Sequence, residues 1–432
     1  MRTMKKLGWV TMALLLAATL PRAGKADDAP KTLDQRVQEI EKKLDQTNPA
    51  AALGINVHGL VALDYLYDLN RPEVPIVASD ATTKAAPFLR TFENEKNSFI
   101  LNLANLHFER APESGLGFVA DLDFGETADV VNNTTYFDST STGNGTNFFD
   151  ARQFYLTYTV PVGSGIKVQA GRFVTLHGAE VIKAYNNLNY NISNSILFGF
   201  AIPFTHTGIM GSYALTDQLT VNLGLVNGWD NVVDNNDGKS FHGMFTYAPD
   251  PKFSIAISGT YGPEQSTHAV TDNLGNTLTV HAGRSKRLMV TTLITVKPTD
   301  ELTLILDHNY GNESDVVPRN GLLRTAQWNG AAGYIIYAFT DSLSATLRAE
   351  IFADMDGMRT LAGEVGTIPG IAPGNQATYY EFTPTLTYKI VDGLLWRNEY
   401  RHDESDSKKV FPHQRNFARG QDTVATELVY TF

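Results

Sequence analysis

The chain has 432 residues, a formal charge of -11 and only 43% hydrophobic residues, yet it carries 23 Phe, 18 Tyr and 35 Gly. That is too polar for a bundle of membrane helices and unusually aromatic for a soluble enzyme. The absence of cysteine excludes disulfide scaffolds, thiolate zinc sites and cysteine nucleophiles.

At the front, Lys5 and Lys6 precede an apolar run from Trp9 to Leu20, followed by small residues up to Ala26. These are the dimensions of a secretory signal, 1–26; the run is too short for an anchor, because a spanning helix needs roughly 20 apolar residues. Cleavage would remove Arg2, Lys5, Lys6, Arg22 and Lys25 and no acid, so -11 becomes -16. So acidic a mature chain argues against nucleic acid as a partner.

Residues 27–52 hold one predicted helix and a linker. Thr32 and Gln35 have capping-box spacing, and Leu33, Val37, Ile40 and Leu44 recur at helical intervals over Thr32 to Gln46. The stripe predicts either a short periplasmic coiled-coil seam or a lone helix that frays. β-branched Val37 and Ile40 favour more than two strands, hence a homo-oligomer such as a trimer.

From 53 to 432 the sequence reads as about sixteen strand-like segments of near ten residues, joined by alternating short turns and long polar loops. In the segment from Leu343, apolar Leu343, Ala345, Leu347, Ala349 and Ile351 oppose Arg348, Glu350 and Asp354. In the segment from Leu394, Arg397, Glu399, Arg401 and Asp403 share one face. An Arg on the lipid face near mid-membrane costs roughly 2–4 kcal/mol, so these rows face the lumen. The last ten residues, Thr423 to Phe432, alternate in the same way and end on an aromatic carboxy-terminus. A strand that ends there pairs with the first strand in a closed wall, where an open sheet would leave an aggregating edge. The predicted fold is therefore all-β: a transmembrane antiparallel up-and-down β-barrel in the bacterial outer membrane, with a short amino-terminal periplasmic helix. A soluble β-sandwich would show the same alternation but not the export signal, alternating turn lengths and terminal Phe432 together.

Four stretches carry a resemblance: Gly171-Arg172-Phe173, Gly178-Ala179-Glu180-Val181-Ile182, Leu197 to Gly208, and Asn227 to Asp237. Together they resemble the OmpL-like β-barrel porin family over about residues 166–247. The resemblance implies a pore for small hydrophilic solutes or ions, and it carries no catalytic or ligand set.

The third long connection, Leu176 to Phe204, mixes Glu180 and Lys183 with five asparagines and apolar Ile196, Leu197 and Phe198. A loop so long would fold into the barrel and narrow it, or lie outside on the rim. Arg172, Glu180, Lys183, His206, Arg348, Glu350, Arg397, Glu399 and Arg401 are the candidate pore-lining or constriction residues. Arg172 has lipid-facing parity, and Gly171 beside it would mark a bulge that turns it inward, unless the residue sits above the membrane. Nothing points to a cofactor or a catalytic group: Gly115, Gly117 and Ala120 lead into a strand rather than a helix, and the ten histidines lack metal-ligand spacing. Basic positions such as Arg284, Lys286 and Arg287 near loops would meet outer-membrane lipid and lipopolysaccharide or stay solvated. Two alternatives stand beside the porin: a poorly conducting barrel that anchors or houses a partner, and an outer-membrane hydrolase.

Overall fold

The structure, a computed structural model, describes residue 50 and residues 53–71, 89–93, 95–112, 115–133, 148–360, 376–406, 409–414 and 416–432. The expected signal segment and the helix with its seam of Leu33, Val37, Ile40 and Leu44 lie outside the described residues.

The wall begins with β1 (Asn56–Asp68), β2 (Ser98–Arg110), β3 (Gly115–Phe124), β4 (Phe149–Val160) and β5 (Ile166–Val174). It continues through β6 (Thr205–Ala214), β7 (Leu219–Val226), β8 (Ser240–Asp250) and β9 (Phe253–Pro263). A small hairpin of β10 (His268–Thr271) and β11 (Thr277–Val280) precedes β12 (Lys286–Val296), β13 (Leu302–Arg319), β14 (Leu322–Ala338) and β15 (Leu343–Asp354). Then come β16 (Ala377–Val391), β17 (Leu394–Ser405), a second small hairpin of β18 (Phe411–His413) and β19 (Asn416–Ala418), and β20 (Gly420–Thr431). The two hairpins form sheets of their own, and the other sixteen strands close an antiparallel barrel.

Closure is made at the carboxy-terminus. Strand β1 pairs with β20 from Leu60↔Thr431 to Asp68↔Thr423. The backbones of Gly59 and Phe432 exchange hydrogen bonds of 2.9 and 3.0 Å. No sheet edge is left open there.

Alternation sorts the two faces. Outward lie Leu223, Phe241, Ile335, Phe382, Trp396 and Tyr430, all exposed. Inward lie Asp64, Asp307, Arg348, Glu381, Arg397 and Glu427, all buried. Short turns such as Thr340–Ser342 stand at one end, the periplasmic end by the asymmetry of bacterial barrels. At the other end β13 and β14, of 18 and 17 residues, outrun their neighbours. Val316, Val317 and Ala326 on this overhang pack with Val280 of β11.

Two features differ from the sequence reading. The second long loop, read only as a polar connection, begins as a helix α1 (Glu126–Asn133), with Glu126 and Asp129 in its first turn where acids suit the helix dipole. The two extracellular hairpins were also not foreseen.

Candidate functional site: a loop folded inside the barrel

The connection from β5 to β6, Leu176 to Phe204, runs inside the barrel rather than over its rim. Residues 191–202 are all buried, and their backbone groups need partners that a strand or helix would ordinarily supply. The wall supplies them. At the root, His177 Nε2 meets Thr260 Oγ1 of β9 at 2.8 Å and Nδ1 meets Thr291 Oγ1 of β12 at 2.9 Å. Burial pushes this histidine down to about 3, so its ring is neutral. Asp307 Oδ2 on β13 accepts the Ala179 N–H at 2.8 Å.

The middle of the loop is tied by charge. Arg348 Nη1 of β15 donates to Glu180 Oε1 at 2.6 Å, and Tyr334 Oη of β14 to the same oxygen at 3.0 Å. Glu180 also turns back on its own loop and accepts the Ser195 N–H at 2.8 Å. Lys183 Nζ pairs with Glu427 Oε1 of β20 at 2.5 Å, while Arg152 of β4 donates to the carbonyls of Ile182 and Lys183. The descending limb is held by carboxylates. Glu399 of β17 accepts the N–H groups of Ile192 and Ser193 at 2.6 and 3.0 Å. Glu350 accepts those of Ile196 and Leu197 at 2.6 and 3.1 Å, where a short π-helix (Leu197–Ala201) begins. Arg397 donates to the carbonyls of Leu188, Asn189 and Asn191, and Arg401 to that of Asn194. The loop thus spans the lumen between walls on opposite sides. Each ion pair sits where water is scarce, so breaking one partner costs more than it would on a surface.

All nine candidate residues are buried inside the barrel, and seven of them belong to this web. His206 lies in the wall beneath the loop root, with its ring 4.2 Å from that of His242 and Nδ1 on the Gly228 carbonyl. Arg172 lies inside without the bulge offered for it at Gly171. Pairing of β4 with β5 runs unbroken through Tyr155↔Gly171 and Phe154↔Arg172. The bulge falls one hairpin earlier, between Asp121 and Asp123 against Asp150 to Gln153. It brings Asp150 to Arg172 at 2.9 Å. Gly171 is required for another reason: its φ is +139°, and a Cβ there would strike the Phe154 carbonyl.

The loop also reaches water. Its tip turns tightly at Ala184 and Asn187, whose backbones exchange two hydrogen bonds, and presents Asn186, Asn187 and Tyr190 exposed. Tyr185 stacks on His58 of β1 at 4.4 Å. The sequence reading counted Asn186 and Asn187 among the loop's five asparagines without listing them as candidates, and it passed over Tyr185, Tyr190, Arg152, Arg90 and Glu93. Arg90 belongs to the β1–β2 loop and donates to Asp403 Oδ2 at 2.7 Å; Glu93 accepts the Asn194 N–H. Above the charged web, apolar residues fill the barrel: Ile196, Phe198, Phe200, Ile202 and Phe204 of the loop pack with Phe92, Trp328, Phe352 and Tyr379. At the extracellular mouth, Glu264 accepts from Trp229 N and Ser240 Oγ, both at 2.6 Å. Burial pushes its carboxyl up to about 7. Among the described residues no cluster of His, Asp or Glu could hold a metal ion.

Residues 54–432 match the family described as beta-barrel porin-2, OmpL-like. No curated protein matches the sequence. Among solved structures, outer-membrane OmpT of Vibrio cholerae is similar at a TM-score of 0.51 and 10% identity, over 88% of this chain and 97% of that one. An anion-selective porin from Comamonas acidovorans gives 0.51 at 9% identity, over 88% and 99%. A trimer form of Vibrio cholerae OmpT gives 0.50 at 10% identity, over 88% and 99%. At such identities the likeness is one of fold.

Proposed function

Because the chain belongs to the OmpL-like β-barrel porin family, we propose that this outer-membrane channel passes small hydrophilic solutes or ions down their gradient, with Leu176–Phe204 as its selecting element. The observation that carries this reading is the loop itself: its limbs are pinned to the wall by Arg348, Glu350, Arg397, Glu399 and Arg401, and its tip presents polar Asn186 and Asn187 to water. A loop held by charges of both signs sets an electrostatic barrier as well as a width. Acidic excess in the chain favours modest cation preference. The reading assigns transport to the protein and no bond-making chemistry.

Assembly belongs to the same proposal. The leader 1–26 would direct export, and the seam of Leu33, Val37, Ile40 and Leu44 would hold three copies together; a solved structure of similar fold is described as a trimer form.

The apolar packing of Phe198, Phe200 and Phe204 inside the wall favours a second reading, a barrel that conducts little until this packing loosens. Planar bilayers decide between the two. Stepwise conductance with uptake of sized solutes supports the channel; silent insertions with no uptake refute it. A reversal potential showing anion preference would retire the cation assignment alone.

A further inference from the structure

Beneath the root of the inner loop three histidines stand together. The ring of His242 on β8 lies 4.2 Å from that of His206 on β6 and 5.3 Å from that of His177 in the loop. All three are buried. The sense of their hydrogen bonds is fixed by backbone groups that have only one role. The Leu176 N–H can only donate, so His242 Nε2 accepts it at 3.4 Å and the ring hydrogen sits on Nδ1, which donates to Thr260 Oγ1 at 2.9 Å. The Thr260 hydroxyl then donates to His177 Nε2 at 2.8 Å. His177 Nδ1 therefore carries the hydrogen, shared between Ser258 Oγ at 2.8 Å and Thr291 Oγ1 at 2.9 Å. Thr291 donates to Asn309 Oδ1 at 2.6 Å, the Asn309 amide to Asp307 Oδ1 at 2.9 Å, and Asp307 Oδ2 accepts the Ala179 N–H. The circuit leaves the loop at Leu176 and rejoins it at Ala179.

A branch fixes the third ring. The His177 N–H donates to Thr175 Oγ1 at 3.4 Å, the Thr175 hydroxyl to His206 Nε2 at 3.2 Å, and His206 Nδ1 to the Gly228 carbonyl at 2.9 Å. Each ring is thus held neutral with its lone pair turned on a hydrogen, and a second proton finds no acceptor. The charged groups on the elements packed round the cluster are engaged elsewhere. Glu180 of the loop is taken by Arg348, and Asp307 of β13 by Ala179 and Asn309. Asp230, between β7 and β8, accepts the N–H groups of Phe204 and Thr205 at 2.8 Å each. Glu264 after β9 accepts from Trp229 and Ser240, Arg287 of β12 pairs with Glu313 at 2.9 Å, and Arg172 of β5 with Asp150. Burial holds His177 at about 3, whereas a hydrated imidazole takes its proton near ~6.5. The undocked root therefore binds more protons between these values, and docking, secure above about 6.5, weakens as pH falls from there toward 3.

We propose that His177, His206 and His242 form an acid-operated latch: given Leu176–Phe204 as the selecting element of the channel, their protonation frees the loop root from β8, β9 and β12 and widens the lumen beside it. At His242 the added proton faces the Leu176 N–H, which the backbone cannot turn away. At the other two rings it faces a hydroxyl whose reversal breaks the circuit, and three like charges a ring's width apart repel one another. Leu176, which packs with Phe173, Met210 and Val226 of the wall, then lifts away with the root. The ties of Glu180 to Arg348 and Lys183 to Glu427 keep the middle of the loop in place.

The test records single-channel steps of the purified full-length barrel in planar bilayers from pH 7.5 down to pH 4. The steps should grow as pH falls below about 6.5. In the double variant His177→Gln with His242→Gln, whose amides keep a donor and an acceptor but take no proton, the acid rise should vanish. Asp307→Asn should retain it, which separates the rings from the carboxylate they lead to. Amide exchange at Leu176 and Ala179, corrected for intrinsic rate, should quicken about tenfold over the same range, the worth of one hydrogen bond. Side-chain nitrogen spectra of the unaltered protein need no variant to fold: at pH 7.5 all three rings should carry hydrogen on Nδ1 and none on Nε2. Hydrogen on His242 Nε2, an acid rise that survives in the double variant, or exchange that ignores pH overturns the proposal. A barrel silent at every pH refutes the channel alone, because exchange and ring spectra still read the latch.

Discussion

Replacing Glu180 by Gln tests the central claim that wall charges hold the loop in place. The carboxylate accepts from Arg348 at 2.6 Å, Tyr334 at 3.0 Å and Ser195 N at 2.8 Å. Gln keeps the size and loses the charge, and Arg348 stays paired to Glu381 Oε2 at 2.8 Å, so the wall itself keeps its partner. Breaking a buried pair by removing one charge costs ~3–5 kcal/mol; at the lower end the detached loop becomes about a hundredfold more populated. That cost falls on the loop rather than on the sixteen-stranded closure. In planar bilayers the variant should give larger and noisier current steps, and amide exchange at Ser195 should quicken by a similar factor. Unchanged conductance, noise and exchange would refute the reasoning.

At the mouth, Glu264 is pushed from an ordinary 4.5 up to about 7. The folded loop then keeps a proton that the unfolded one releases, so its stability is greatest below pH 4.5 and declines as pH rises to 7, by up to ~3 kcal/mol. Exchange of the Trp229 amide, corrected for intrinsic rate, should be slower at pH 5 than at pH 8, and Glu264→Gln should flatten that difference. Gly171→Ala forces a Cβ against the Phe154 carbonyl at φ +139°. A loss of ~1–3 kcal/mol follows from such strain and should show as a lower unfolding temperature in detergent; an unchanged temperature would contradict it. Asn187→Arg places a cation in water at the loop tip, where ~1 kcal/mol at 4 Å shifts the ion permeability ratio toward anions by up to about fivefold. The reversal potential measures this directly.

Most of the wall could be read from the chain, because a strand's faces are fixed by local alternation and a closed wall leaves no free choice about its two ends. Leu343 to Asp354 and Leu394 to Asp403 declare their inner side in the sequence alone. What the inner side touches is not local. Arg397 meets the carbonyls of Leu188 and Asn191 across more than two hundred residues, and no periodicity encodes that. Arg172 lies inside the barrel, but the bulge offered for it at Gly171 was misplaced for a related reason: the register shift lies in the pairing of β3 with β4, which depends on two strands at once. Asp307, by contrast, stood in an inward row with Asn309 and could have been found by the same alternation that found Glu350. Helix α1 escaped notice because eight residues of modest amphipathicity inside an Asn- and Thr-rich connection give a weak periodic signal.

The tether between Lys183 and Glu427 joins residues 244 positions apart. Docking of the loop is therefore complete only in a closed wall: the carboxylate that Lys183 meets lies on β20, the strand that pairs with β1. A barrel lacking its last strand would lose both its seam and one of the anchors of its lumen.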